Sequence, residues 1–324
     1  MTGKLRVLGV SALLAMTACS ATPAGETQPT ASPSAQAPPA AGGANMPVLS
    51  RYTKVLVIPE ENKQYGRIIG AADAPYVNKL AATYGTAKNM GAGYAVKCPS
   101  LAAYILLTSG TTHGICDDND AVKHQLTGDN VFAQVAKAGK QYRQYAESMP
   151  TNCRRTNTGN GVYVVRHAVP PYYATENSSG RCAKWDVPLG TVTSGNLHND
   201  ITKGTLPALS WVTPDTCHDM HGAGSCEASL VKNGDTWLST WLPKIMAGPD
   251  YKSGKLAVFV VWDEGNATDN HIPALVISPS TAKVASSAHL THCSVLRTVE
   301  EILGLSLLNC AASASPMRQE FKLA

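Results

Sequence analysis

Aromatic and charged side chains are both scarce in this sequence: three phenylalanines in 324 residues, aromatics at 6% and charged residues at 15%. With so few aromatics, only Tyr172-Tyr173 and Trp185 suggest a greasy entrance for a lipid-like group. No C-x-x-C spacing occurs, which removes the usual support for a structural zinc site. There is no internal repeat. The net charge is +4, and removing Lys4 and Arg6 lowers it to +2, with no basic cluster of the kind that argues for nucleic acid. Hydrophobic residues at 44% make the remainder globular.

The N-terminus has the anatomy of an export signal. Lys4 and Arg6 start it, Val7 to Met16 form an apolar core too short to span a bilayer, and Thr17-Ala18 precede Cys19. Residues 1–18 are therefore expected to be a signal peptide, with ordinary cleavage near Ala18 or Ala21 as the alternative. Residues 19–46 are rich in Pro, Ala, Ser and Thr, cannot bury a core, and are expected to form a disordered tether. Residues 47–324 are the expected catalytic domain, within the size of one large α/β unit.

Beyond Cys19 eight cysteines remain: Cys98, Cys116, Cys153, Cys182, Cys217, Cys226, Cys293 and Cys310. An even number in an exported chain reads as a disulfide framework. Sequence alone leaves many pairings open, and consecutive pairing, each closing a short loop, is the expectation.

Apolar runs alternate with helical patterns, which predicts an α/β fold. Expected strands are Lys54–Ile58, Tyr142–Ala146, Val162–Arg166, Leu209–Val212, Leu256–Trp262 and Ala274–Ser278. Expected helices are Pro75–Tyr84, Leu101–Thr108, Val131–Ala138, Thr236–Met246 and Ser294–Leu303, the last capped by Ser294. Asn196–Asp200 and Cys217–Glu227 read as long functional loops.

The chemistry concentrates where strands end. Val258 to Trp262 runs into Asp263-Glu264-Gly265, and Val55 to Ile58 leads through Pro59 to Glu60-Glu61-Asn62. Ligands in open α/β sheets bind outside the carboxyl ends of the strands. Carboxylates there are costly to desolvate without a cation or hydrogen bonds, although either acidic pair alone also fits a solvated turn. Ser100, ahead of an apolar helical run, fits either an N-cap or a hydroxyl nucleophile beside free backbone N–H groups. His167, His218, His221, His271 and His292 are candidate metal ligands, hydrogen-bond donors to phosphate or proton donors to a leaving alcohol, and each alone also fits a surface or hydrogen-bonding residue.

Taken together, VIPEENKQYGRIIG, CPSLAAYILLTSG, QYAESMP, VRHAVPPYY, LSWVTPDTCHDMHG, TWLSTWLPKI, VVWDEG, HIPALVISP and THCSVLRTVEEILGL run in order from Val57 to Leu305. They resemble the bacterial phosphoesterase family of acid phosphatases and phospholipase C enzymes, a branch of the alkaline phosphatase superfamily. The resemblance implies a three-layer sandwich with a mostly parallel central sheet, and a divalent cation of unspecified identity. It implies Glu61, Asn62, Ser100, Asp263 and Glu264 as metal ligands, Ser100 as nucleophile, and His221 as the acid for the leaving alcohol. It places His167, His271 and His292 near the phosphate. Asparagine is common in the family where His218 stands, and Pro-Asn where Ala102-Ala103 stand. The larger phospholipase C members carry C-terminal extensions that are not found here. The expected activity is hydrolysis of phosphomonoesters through a phosphoserine. The alternatives are a phospholipase C acting on phosphodiesters and a surface lipoprotein that only binds a ligand. Met-Thr-Ala-Cys around Cys19 resembles a bacterial lipobox, implying a lipid anchor to the membrane and a cell-surface location; secretion is the alternative.

Overall fold

The computed structural model describes residues 50–94, 98–226, 229–265 and 270–323. The signal peptide, Cys19 and the tether fall outside the described residues, as does Glu227 of the second loop. Among the described residues there are ten strands: β1 Lys54–Glu60, β2 Gly85–Ala87, β3 Met90–Gly91, β4 Tyr142–Ala146, β5 Asp186–Pro188, β6 Leu209–Thr213, β7 Leu256–Trp262, β8 Ala274–Ile277, β9 Ala285–Ser286 and β10 Leu290–Thr291. Eight of them form one sheet in the order β5-β4-β6-β1-β7-β8-β2-β9, and β3 and β10 make a small second sheet. Strands β5, β4, β6, β1 and β7 are mutually parallel, whereas β8 runs antiparallel to β7 and β2. This is the α/β architecture with a mostly parallel sheet that the alternation of elements predicts.

Parallel strands need crossover connections that cover both faces of the sheet. β1 and β7 are accordingly buried almost end to end. Helix Ser100–Ser109 packs on His292–Leu303, and Pro75–Thr83 packs on Leu230–Ala247. Among the described residues no helix is long and apolar enough to cross a membrane. The cysteines pair consecutively as Cys98–Cys116, Cys153–Cys182, Cys217–Cys226 and Cys293–Cys310. Such a set suits an oxidising compartment.

Four local expectations need correction. Val162–Arg166 is not a strand: Val165–His167 is a 3-10 turn, because the Val165 N–H is taken by Asn157 Oδ1 at 2.8 Å instead of a neighbouring strand. Asn196–Asp200 lies in a helix, Asn196–Lys203, which buries Leu197 and Ile201 one turn apart. The final helix starts at His292; Thr291 is its cap, and Ser294 sits inside the first turn, reciprocating that cap. The helix expected at Thr236 begins at Leu230 and runs through Gly234. That glycine is demanded by packing, since a Cβ there would meet Met220 Cγ at 2.5 Å and the His218 carbonyl oxygen at 2.9 Å. The close approach seats the His218–Met220 loop directly on the helix.

Candidate active site

β1 and β7 are parallel neighbours with Glu60 opposite Trp262, so the residues that follow, Glu61 and Asp263, emerge side by side. The Asp263 N–H donates to the Glu60 carbonyl at 2.8 Å. Asn62 takes a left-handed backbone with φ of 51°, a conformation asparagine tolerates, and turns the chain away. The Asn62 N–H donates to Asp263 Oδ1 at 2.8 Å, as does the Glu264 N–H at 2.5 Å. Asp263 Oδ2 is buried and accepts nothing. Glu60 stands apart from this arrangement: it is fully buried with neither oxygen bonded. Burial, with Asp219 and Glu61 nearby, pushes its pKa well above the usual carboxylate range.

Ser100 opens the Ser100–Ser109 helix, with Pro99 as its N-cap, so its side chain is not spent on capping. Its hydroxyl donates to Glu61 Oε2 at 3.0 Å and faces Glu264 Oε1 at 3.4 Å. The Cys98–Cys116 disulfide anchors the chain just before it. The Leu101 N–H is held by Asp118 Oδ1 at 3.0 Å, and Asp118 Oδ2 lies 3.3 Å from Arg166 Nε. On the far side of Glu264, the Tyr94 hydroxyl donates to Oε2 at 2.6 Å. Glu264 therefore turns one oxygen to the serine and has the other fixed by a tyrosine.

The histidines divide by environment. His167 is buried against Tyr104, their rings stacked 5.0 Å apart, with Nε2 at 3.0 Å from Glu61 Oε1 and Nδ1 at 3.1 Å from Asp219 Oδ2. Burial alone would lower its pKa, but the two carboxylates outweigh that and push it up to about 9. His221 lies edge-on to His167 at 6.1 Å, and its Nδ1 donates to the Gly222 carbonyl oxygen at 2.7 Å. The backbone N–H of His221 donates to Asp219 Oδ1. His292 is fully buried, donates from Nε2 to the Trp262 carbonyl oxygen at 3.0 Å, and has an unpartnered Nδ1. Burial pushes its pKa down to about 4, so it is neutral. His271 stacks on Tyr65 at 4.6 Å and meets the Lys88 carbonyl oxygen at 2.9 Å, which ties it to the Lys88–Gly91 segment.

Electrostatics bear on whether this cluster suits a cation. Burial raises the pKa of Asp263 far above its usual value, and Glu61 and Glu264 reinforce the rise. Burial also raises Glu264, to about 7, with the Tyr94 hydrogen bond opposing and Glu61 adding to it. Glu61 is the exception: burial raises it, but the adjacent His167 overrides this and holds it below the ordinary range. Carboxylates gathered around one hydroxyl, with a buried oxygen lacking any donor, are the donor set a hard divalent cation satisfies. Glu61, Asp263, Glu264 and Ser100 fit such an ion. Asn62 enters the observed geometry through its backbone, next to them in the chain.

Two participants were not legible beforehand. Asp219 stands inside His-Asp-Met-His, where its position between two histidines was the available signal. Tyr94 follows Gly91-Ala92-Gly93 and carries no signal of its own. Conversely, Tyr172 and Tyr173 are fully buried in the core, so they form no greasy entrance.

The fold recurs in known structures. An alkaline phosphatase superfamily protein from Vibrio parahaemolyticus superposes with a TM-score of 0.55 at 14% identity, covering 84% of this chain and 73% of that one. The lipoteichoic acid synthase LtaP from Listeria monocytogenes gives 0.52 at 9% identity, covering 80% and 74%. These likenesses place the chain in the alkaline phosphatase class of folds. The Phosphoesterase family model matches residues 68–306, and the chain belongs to that family, as a hydrolase acting on phosphate esters. It is 26% identical over 270 residues, 83% of each chain, to a phosphatidylinositol-3-phosphatase of Mycobacterium tuberculosis (strain ATCC 25618 / H37Rv).

Proposed function

We propose that the protein is an exported, metal-dependent phosphomonoesterase that works through a phosphoserine at Ser100. The observation that carries this reading is the Ser100 hydroxyl at 3.0 Å from Glu61 Oε2 and 3.4 Å from Glu264 Oε1, beside the unpartnered Asp263 Oδ2. Glu61, Ser100, Asp263 and Glu264 would hold the cation, with the Asn62 N–H fixing Asp263 from behind. When bound, a divalent ion acts as a Lewis acid, lowering the cost of serine deprotonation and of charge on the phosphoryl oxygens.

The residues of the chain do the rest. Ser100 Oγ faces Glu264 Oε1, whose pKa burial raises to about 7 and which can therefore take the serine proton, and the serine's helix N-terminus favours an anion. Oγ attacks phosphorus, the new Oγ–P bond forms, and the P–O bond to the alcohol breaks. His221 gives the departing oxygen its proton. Water then cleaves the Oγ–P bond and releases phosphate. His167, charged between Glu61 and Asp219, keeps Glu61 ionised and in place.

A phosphomonoester is favoured over a phosphodiester because the curated relative is a phosphatase of a phosphoinositide. Inositol-lipid monoesters are therefore the first substrates to test. The described surface also has one exposed large hydrophobic side chain, Val122, which offers little for seating a diacylglycerol leaving group. The decisive experiment measures phosphate and diacylglycerol release from phosphatidylinositol 3-phosphate, p-nitrophenyl phosphate and phosphatidylcholine, with and without a chelator. Phosphate release from the monoesters that stops with the chelator is expected. Diacylglycerol release from phosphatidylcholine as the faster reaction would favour the phospholipase C reading. Neither bound metal nor turnover of any ester would leave a ligand-binding lipoprotein.

A further inference from the structure

A cavity of about 700 Å³ opens at the same carboxyl ends of the parallel strands as Ser100's carboxylates, but beyond β4 and β6 instead of β1 and β7. Its lining includes Glu147, which follows β4, Asp215, two residues past β6, and His218, together with Trp237 and Trp241 of the Leu230–Ala247 helix. Nothing in the phosphoester chemistry uses these groups. His218 Nδ1 lies 3.0 Å from Glu147 Oε2 and 3.1 Å from Asp215 Oδ1.

One ring nitrogen thus faces two carboxylate oxygens. Nδ1 carries at most one hydrogen, which can point well at only one of them. A cation resolves the conflict, because all three atoms then direct lone pairs at one point. The three donor atoms lie within 4.8 Å of one another. With zinc–ligand bonds of about 2.0–2.1 Å, tetrahedral ligands stand roughly 3.3 Å apart, close to the spacing seen here. The carboxylates are already oriented from behind. Ser148 Oγ donates to Asp215 Oδ2 at 2.6 Å, the Cys217 N–H to Asp215 Oδ1 at 3.0 Å, and the Asp215 N–H to Glu147 Oε2 at 3.0 Å. Such outer hydrogen bonds are typical of metal ligands. The cavity that all three residues line has room for a water or another ligand at the remaining position.

We propose that Glu147, Asp215 and His218 form a second divalent-cation site, separate from the one at Ser100. One imidazole and two carboxylates suit a borderline ion such as Zn²⁺. The site shares no ligand with Glu61, Asp263 or Glu264, and two carboxylates with a neutral imidazole balance the ion's charge. It lies on the loop that also carries Asp219 and His221, so occupancy ties down the segment that positions His167.

The test counts metal in the full, disulfide-intact chain. Protein stripped with a chelator is dialysed against Zn²⁺, and the bound equivalents are measured by plasma mass spectrometry for the wild type, His218→Asn, Glu147→Gln and Asp263→Asn. His218→Asn and Glu147→Gln are each expected to hold one equivalent fewer than the wild type. Co²⁺ loading gives a second readout: visible absorption from a four-coordinate ion should be lost in His218→Asn and kept in Asp263→Asn. Near-UV circular dichroism checks folding, and Glu147→Gln decides if His218→Asn is misfolded. Wild-type Zn²⁺ content and an unchanged Co²⁺ spectrum in the folded variants would overturn the proposal and leave His218 as an ion-pair brace. Failure of Asp263→Asn to lose metal would count against the Ser100 site instead, so the two results are separable.

Discussion

His167 and Glu61 form the hinge of the site: Nε2 and Oε1 lie 3.0 Å apart, both side chains are almost wholly removed from solvent, and Asp219 completes the bridge from the other ring nitrogen. Glu61 is thereby kept ionised while the carboxylates around it are driven toward the neutral form. The same residue accepts the Ser100 hydrogen bond on its other oxygen. Nucleophile, carboxylate, imidazole and Asp219 thus form one chain of contacts from a helix to a loop.

The first test is the nucleophile. Ser100→Ala removes the hydroxyl proposed to form the covalent bond, so kcat on p-nitrophenyl phosphate should fall at least about a thousandfold. Thermal stability should change little, because the lost hydroxyl is small and its carboxylate partner retains His167. Wild-type turnover in this variant would sink the phosphoserine scheme.

Asp219→Asn tests the far end of the bridge. Asn presents no charge to His167 Nδ1, so the imidazole loses part of its hold on Glu61. Activity should drop by about ten- to a hundredfold, in the range found for outer-shell partners. The alkaline limb of the pH–rate profile should move to lower pH, because one of the two groups raising the His167 pKa has gone. An unchanged profile would leave Asp219 a purely structural residue.

The pH dependence of stability follows from the same histidine. Its folded pKa of about 9 exceeds the free value of about 6.5, so the folded state binds the proton more tightly. The stabilising contribution is full below pH 6.5, declines as pH rises, and is gone above about 9. In metal-free protein, the gap in denaturation midpoint between wild type and His167→Gln should therefore narrow over this window. A gap that widens toward pH 9 would contradict the assignment.

How much of this could be read beforehand depended on whether the signal was local. β1 and β7 show in the sequence as apolar β-branched runs because strands covered on both faces need that composition. Glu61, Ser100, Asp263 and Glu264 were visible because they close strands or open a helix, where a polar residue stands out. Glu60 looked equivalent to Glu61, and only the alternation of the strand sends it elsewhere. The helix start at Leu230 was hidden by Gly234, whose reason is the packing of Met220 and His218 from the preceding loop, and Val162–Arg166 reads as a strand because its β-branched composition does not reveal that Asn157 takes the Val165 N–H. Tyr94's bond to Glu264 spans 170 residues, so no window of sequence contains it.

Removing the Cys98–Cys116 bridge tests how the nucleophile is held. The disulfide closes a loop with a separation of 18 residues immediately before Ser100. Cys98→Ser with Cys116→Ser should cost about 3 kcal/mol of stability on loop entropy alone, measured by denaturant unfolding. It should also lower kcat more than it raises KM, since the loosened group is the attacking one. Equal activity with lower stability would confine the bridge to a folding role.

Asp263→Asn separates the cost of the site from its use. In the metal-free protein Asp263 is buried beside Glu61 and Glu264, and burial with their charge drives its pKa far up. A neutral amide of the same shape relieves that repulsion and the desolvation of a carboxylate. The metal-free variant should therefore be more stable than metal-free wild type. The same change removes a ligand, so added divalent cation should raise the melting temperature of the wild type and leave the variant nearly unmoved, with turnover lost. A stability gain together with lost metal response is the signature of a carboxylate kept for a cation. A variant less stable than wild type in the absence of metal would mean that Asp263 serves chiefly through its two backbone hydrogen bonds.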